Sequence, residues 1–324
     1  MRRRQWLSMG CVLPAALTAM PVRAGSALQC VVPAKPGGGF DVTCQLVRDV
    51  LAGPNSAPGI VYQPGGIGAL TYAEVVRGAR QQPRELIAFS SGTLLNLAQG
   101  RFGPWRPERI RWVAAVALDH GVVAVHRDAP WRSLRELLDA VGRQPSAVAF
   151  AAGGTIGSQD WMKAALLARS AGISHRNLRI VAFEGGGDAL RALSGRHVQV
   201  LCGDAAELSE QLAAGAPLRL LAALSERRLA GPLATVPTAL EQGADVRWPI
   251  LRGVYASADH PEVELAAVTA RLAEWLGTSA HAMAVRGRGL EPAALHGRAL
   301  QERIDAEMTR FRSEAERFGL LVQR

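Results

Sequence analysis

The sequence predicts an α/β protein of two lobes, each built on a parallel-rich sheet, with a ligand cleft between them. Three observations carry that prediction. From residue 28 onward, apolar runs of strand length alternate with helical patterns, the order that builds parallel sheets covered on both faces. The turns that lead from strand to helix are rich in glycine. These turns form two groups, residues 36–93 and 153–187, with an apolar crossing at 120–126 between them. Ligands in such sheets lie at the carboxyl ends of the strands, so two facing lobes would bring both groups of turns together.

Each element follows in turn. "ALQCVVPA" reads as a strand, and "DVTCQLVRDVLA" as a helix stopped by Gly53-Pro54. "GIVYQPGGIGALTYAEVVRGA" repeats strand, glycine loop and helix, and "ELIAFSSGTLLNLAQG" does so again. "IRWVAAVALDHGVVAVHRD" reads as two apolar runs split near Asp119-His120-Gly121. "SLRELLDAVGRQP" is a helix with Ser133 as N-cap and Glu136 three residues on, the spacing of a capping box. "AVAFAAGGTIGSQDWMKAALLARSAG" and "LRIVAFEGGGDALRALSG" return to strand, glycine loop and helix. Lobe 1 is expected over residues 25–125 plus 227–324, and lobe 2 over 126–226.

The first residues are of another kind. Arg2-Arg3-Arg4 precede an apolar run, Leu7 to Met20, and then Val22-Arg23-Ala24. That is the order of a secretory signal cleaved after Ala24, residues 1–24, with export to the periplasm by either the general or the twin-arginine route. Without its four arginines the net charge falls from +9 to +5. Lysine occurs only at Lys35 and Lys163. The basic residues are scattered with no stripe of interleaved aromatics, so nucleic acid is not an expected partner. After cleavage Cys30, Cys44 and Cys202 remain, which allows at most one disulfide, and buried apolar thiols are the expected state.

A search for catalytic patterns finds none. The chain has no G-x-S-x-G elbow and no phosphate-binding G-x-x-x-x-G-K-[ST]. Its seven histidines show no metal-ligand spacing, and the glycines of "AAGGTIGSQD" do not fit a dinucleotide fingerprint. No cofactor and no metal are expected.

The glycine turns fit binding instead. Pro36-Gly37-Gly38-Gly39 stand between a strand and a helix, where bare backbone lets a guest approach the first N–H groups and the positive dipole end. Gly153, Gly154, Thr155, Gly157 and Ser158 would cluster N–H donors and two hydroxyls before the next helix, a nest suited to a carboxylate. Glu184 to Asp188 make a further glycine-rich turn. Lys35 would neutralise a ligand carboxylate or stand solvated beside the loop. Asp41, in the first helical turn, is suited to organising that loop.

In order along the chain, "VVPAKPGGGFDVT", "PGGIGA", "GGTIGSQD", "VAFEGGGDALRALSGRHVQV", "LRLLAALSERR" and "TVPTALEQG" resemble the Bug-type receptors of tripartite tricarboxylate transporters. The likeness runs from about residue 28 to 320. It implies a type II-like "Venus flytrap" that grips a carboxylate between lobes, largely through backbone amides and ordered water. It carries over Ala34 and Gly37, Gly38, Gly39, Phe40 and Asp41 as the first-lobe grip. Gly153 to Ser158 become the second-lobe grip, with Glu184, Gly185 and Asp204 near the pocket. Where Lys35 stands, those receptors usually have proline or an apolar residue.

The reading is therefore a monomeric periplasmic receptor that captures a small di- or tricarboxylate and presents it to membrane permease subunits. A ligand sensor of the same fold, feeding a signalling partner, is the alternative. A periplasmic enzyme acting on carboxylates would need a nucleophile–base pair that the sequence does not offer.

Overall fold

The structure is a computed structural model that describes residues 28–52, 58–80 and 84–322. The expected signal segment, residues 1–24, and the Gly53-Pro54 stop lie outside the described residues.

Strands β1 (Gln29–Val32), β2 (Gly59–Tyr62) and β3 (Glu85–Ser90) pair in parallel in the order β2-β1-β3. Each runs into a helix: α1 (Gly39–Leu51), α2 (Ala69–Arg77) and α3 (Ser91–Ala98). The long strand β4 (Ile110–His126) follows, then α4 (Leu134–Arg143). The first pattern then recurs. Strands β5 (Ala149–Gly153), β6 (Arg179–Phe183) and β7 (Val200–Asp204) pair in parallel in the order β6-β5-β7. They lead into α5 (Gln159–Ser170), α6 (Gly186–Ser194) and α7 (Ala205–Ala213). The chain closes with β8 (Leu218–Leu224), β9 (Pro249–Ser257), α8 (Glu262–Trp275), α9 (Ser279–Arg286), β10 (Glu291–Leu295) and α10 (Gly297–Phe318).

One strand belongs to both sheets. Residues Ile110–His120 of β4 pair antiparallel with β9, completing the order β2-β1-β3-β9-β4 with β10 beyond. Residues Gly121–His126 pair antiparallel with β7 on one side and β8 on the other, giving β6-β5-β7-β4-β8. Each sheet is three parallel strands meeting an antiparallel partner, so the two lobes repeat one topology.

The sequence suggested two runs split near Asp119, whereas β4 is continuous. Asp119 is buried, yet its carboxylate accepts from the His120 and Ala206 backbone N–H groups and from Arg252. A satisfied charge does not interrupt the strand, because the backbone ladder is intact on both sides of it. Beyond it both faces of β4 are covered. Val123 and Val125 pack into one core cluster, and Val122 and Ala124 into another, as the two-residue period requires.

Two of the cysteines differ from expectation. Cys30 on β1 and Cys44 on α1 form a disulfide, and Cys202 stays a buried free thiol. Burial pushes that thiol up to about 12, so it is inert at neutral pH. Among the described residues no helix is long and apolar enough to cross a membrane.

Candidate functional site

The carboxyl ends of β1, β3, β5, β6 and β7 converge on one cavity, where β4 passes from one sheet to the other. The cavity holds about 80 Å³. From the first lobe it is lined by Ala34, Lys35, Gly38, Gly39 and Phe40, and from the second by Gly153, Ser158, Gly185 and Asp204, all of them expected from the sequence.

The helices that open onto this cavity are not capped alike. Ser90 caps α3 and Ser158 caps α5 with their own hydroxyls. The α7 N-terminus receives the Asp119 carboxylate through Ala206 N–H. By contrast α1 begins after Gly38 and α6 after Gly185, and neither has a side-chain cap. Their first N–H groups and their positive dipole ends are left for a guest.

Six of the expected residues serve elsewhere, in roles that shape the cavity without lining it. Asp41 accepts from Gly37 N–H at 2.9 Å, from Gln45 and from Tyr62, and so braces the first turn. Gly154 N–H donates to the Phe183 carbonyl at 2.7 Å. At φ +107° a Cβ on Gly154 would also meet Ile67 at 2.7 Å, so this position admits only glycine. Thr155 accepts from Arg101 at 2.7 Å, and the Gly157 carbonyl accepts from Gln99 at 2.8 Å. Glu184 accepts from Gly66 N–H at 3.2 Å. The last three contacts join the lobes. Of the donors expected from Gly153–Ser158, the Gly153, Gly154 and Ser158 N–H groups are bonded within the protein, to Asp160 and to the Phe183 and Thr155 carbonyls, and the Gly185–Gly187 turn opens α6 beside them with no side-chain cap.

Lys35 also bridges the lobes. Its ammonium lies 2.9 Å from Asp188, which Arg191 pairs as well. Hydrogen bonding from Lys35, ahead of that from Arg191, holds the Asp188 carboxyl below the usual range. The rim charge of Lys35 is therefore answered within the protein.

The floor of the cavity carries residues that sequence reasoning missed: Gln159, Asp160, Glu207 and Arg252. Arg252, on β9, is 1% exposed. Its Nη2 reaches Asp119 at 2.6 Å and Asp204 at 2.7 Å. Its remaining nitrogen, Nη1, lies over Gly39, where any Cβ would overlap the guanidinium. Lys163 is fully buried beneath, 2.8 Å from each of Asp160, Asp204 and the Gly203 carbonyl. Gln159 donates to both oxygens of Asp204 at 2.9 and 3.0 Å.

Burial weighs against every charge in this network, and the partners decide the outcome. Against burial, Lys163 and Arg252 together hold Asp204 below the usual carboxylate range. Asp160 is raised because burial outweighs Lys163. Lys163 and Arg252 are themselves raised, since their aspartates overcome their burial. Glu207 has no such support, and burial, then Asp204 and Asp160, push its carboxyl up to about 8. Among the described residues no group of side chains could hold a metal ion.

Two lobes that repeat one topology, share a crossing strand and enclose a cavity between glycine turns define a two-lobed solute receptor. The family model for the tripartite tricarboxylate transporter family receptor matches residues 101–320, and the chain belongs to that family. It is similar in structure to an R. palustris protein solved with adipate, at 21% identity and TM-score 0.80, over 90% of this chain and 96% of that one. MatC from Rhodopseudomonas palustris, solved with bound malate, is 24% identical with TM-score 0.74, over 91% and 99% of the two chains. The periplasmic binding protein BugD is 18% identical with TM-score 0.78, over 92% and 99%. A search of curated proteins finds no match.

Proposed function

We propose that the protein captures a small di- or tricarboxylate in the periplasm and delivers it to the permease subunits of a tripartite tricarboxylate transporter. The observation that carries this reading is the pair of uncapped helix N-termini, α1 and α6, aimed from opposite lobes into one small cavity. Two such ends are complementary to an anion with acceptor oxygens on both sides. The adipate and malate held by similar structures are ligands of this kind. A cavity of about 80 Å³ is far below the roughly 300–1,000 Å³ that hold drug-sized ligands, which favours a small acid.

The lobes are taken to span 25–125 plus 227–324 and 126–226, meeting at β4. The ligand drives closure by binding the closed arrangement more tightly than the open one. The Cys30–Cys44 disulfide suits an oxidising compartment, in keeping with export through residues 1–24. The receptor performs no chemistry on its ligand.

A melting screen of the mature chain against carboxylates tests this. An acid at 100 times its dissociation constant adds about 2.7 kcal/mol of stability. Gly38 is the position for the companion variant, because a Cβ there meets nothing within 4 Å and would occupy the cavity. Gly38→Val should fold normally and lose the ligand-induced shift. Absence of any shift in the unmodified protein with millimolar acids would refute carboxylate capture, and a normal shift in Gly38→Val would refute the pocket.

A further inference from the structure

We propose that Glu207 meets the ligand as a neutral carboxylic acid, donating a hydrogen bond to a ligand carboxylate, so that capture of the anion is coupled to one proton held by the protein. The inference rests on the carboxylate-receptor reading above and adds a specificity-determining residue to it.

Its geometry is that of an acid waiting for a partner. Glu207 lines the cavity, is 5% exposed, and its Oε1 is fully buried with no hydrogen bond. The carboxyl lies against Gly186, where a Cβ would come within 2.6 Å of Oε2. That places it beside the uncapped start of α6, where the ligand's oxygens are expected.

The charges around it settle its form. Asp204 at the end of β7, Asp160 and Lys163 on α5 and Arg252 on β9 act on Glu207. Asp119 on β4 stands behind Arg252. On α6, Asp188 is taken up by Lys35 and Arg191 at the rim. Three buried aspartates thus face two buried cations before Glu207 is counted. A further negative charge in so enclosed a site would repel an anionic ligand, whereas a protonated carboxyl becomes a donor to it. Burial, which keeps this carboxyl neutral up to about pH 8, acts in the same direction.

Titration calorimetry with malate, adipate and citrate from pH 6 to 9.5 tests the coupling in the unmodified protein and in Glu207→Gln. For an acid that binds, the Kd of the unmodified protein should hold steady to about pH 8 and then weaken about tenfold per pH unit. Binding at pH 9 should take up a proton, seen as heats that differ between buffers. Glu207→Gln keeps a donor but cannot ionise, so its Kd should not follow that rise. Binding with a flat profile to pH 9.5, or the same rise in the variant, overturns the proposal and leaves the receptor reading standing. Aspartate binding more tightly as pH rises overturns it too, since Glu207 would then accept from an ammonium group. No binding of any acid at pH 6 overturns both readings. Without ligand, ¹³C spectra of the Glu207 carboxyl should show titration near pH 8, and titration below pH 6 overturns the proposal.

Discussion

Arg252 answers two buried aspartates at once, and so its loss should be felt in stability before function. Truncation would leave the buried carboxylates Asp119 and Asp204 with one positive partner fewer. Removing one member of a buried ion pair costs about 3–5 kcal/mol, and Arg252→Met should lose an amount of that order in urea unfolding at neutral pH. Glu207 makes the opposite demand. Its carboxyl sits near 8 in the folded protein, while the unfolded chain loses that proton near 4.3. Between those values folding retains a proton, so this contribution is full below about pH 4 and is lost as pH rises toward 8. Between pH 5 and 8.5 the unmodified protein should lose on the order of 4 kcal/mol more stability than Glu207→Gln, by urea unfolding at both pH values. These residues were poorly legible in the sequence. Lys163 did carry a signal, being one of two lysines, yet only Lys35 drew attention through that rarity. Arg252 was hidden among many arginines. Its partners Asp119 and Asp204 lie 133 and 48 residues away, and only the fold brings them together.

At the scale of the element, the alternation of strand, glycine turn and helix was readable because backbone requirements are local. Pro36–Gly39 was recognised as a turn that bares the start of α1, and it is one. In the second lobe two glycine turns, Gly153–Ser158 and Glu184–Asp188, read as donor sources. Gly153–Ser158 and Gly185–Gly187 look alike in composition, but only the structure shows that Gly154 and Ser158 N–H groups are already bonded within the protein. The capping serine at 158 was the available clue, since a helix capped by its own side chain has less to offer a ligand. The disulfide acts on the same element. It ties α1 to β1 across a separation of 14 residues, a loop that contains the first glycine turn. Closing a loop of this length stabilises by about 3 kcal/mol in the chain-entropy account. Cys44→Ala should lose roughly that much, and its ligand affinity should fall as the turn gains freedom. Unfolding and calorimetry on the same preparation would check both.

Across the whole molecule, contacts between the lobes lie both on the floor of the cavity, where Arg252 meets Asp204, and at its rim. Lys35–Asp188, Gly66–Glu184, Gln99–Gly157 and Arg101–Thr155 each join residues from opposite sides of the cleft. The Lys35–Asp188 pair is largely exposed, and such pairs contribute about 0–1 kcal/mol. Lys35→Ala should therefore weaken the Kd for a bound acid by less than about fivefold in calorimetry. A loss of a hundredfold would mean that Lys35 touches the ligand itself. The two-lobed class was legible from the spacing of the glycine turns. The joint was not, because a buried aspartate inside an apolar run reads as a break until its partners are known.

That joint sets what a guest meets. One ribbon, β4, is stitched into both halves, so the same backbone carries a strand of each sheet. The backbone passes from one sheet to the other at His120–Gly121, where the Gly121 N–H is also tied to the Trp248 carbonyl at 2.9 Å. The floor charges of Arg252, Asp119 and Asp204 sit beside that crossing, and the rim contacts lie away from it. A guest that reaches this crossing meets the buried charges where the two sheets share one strand.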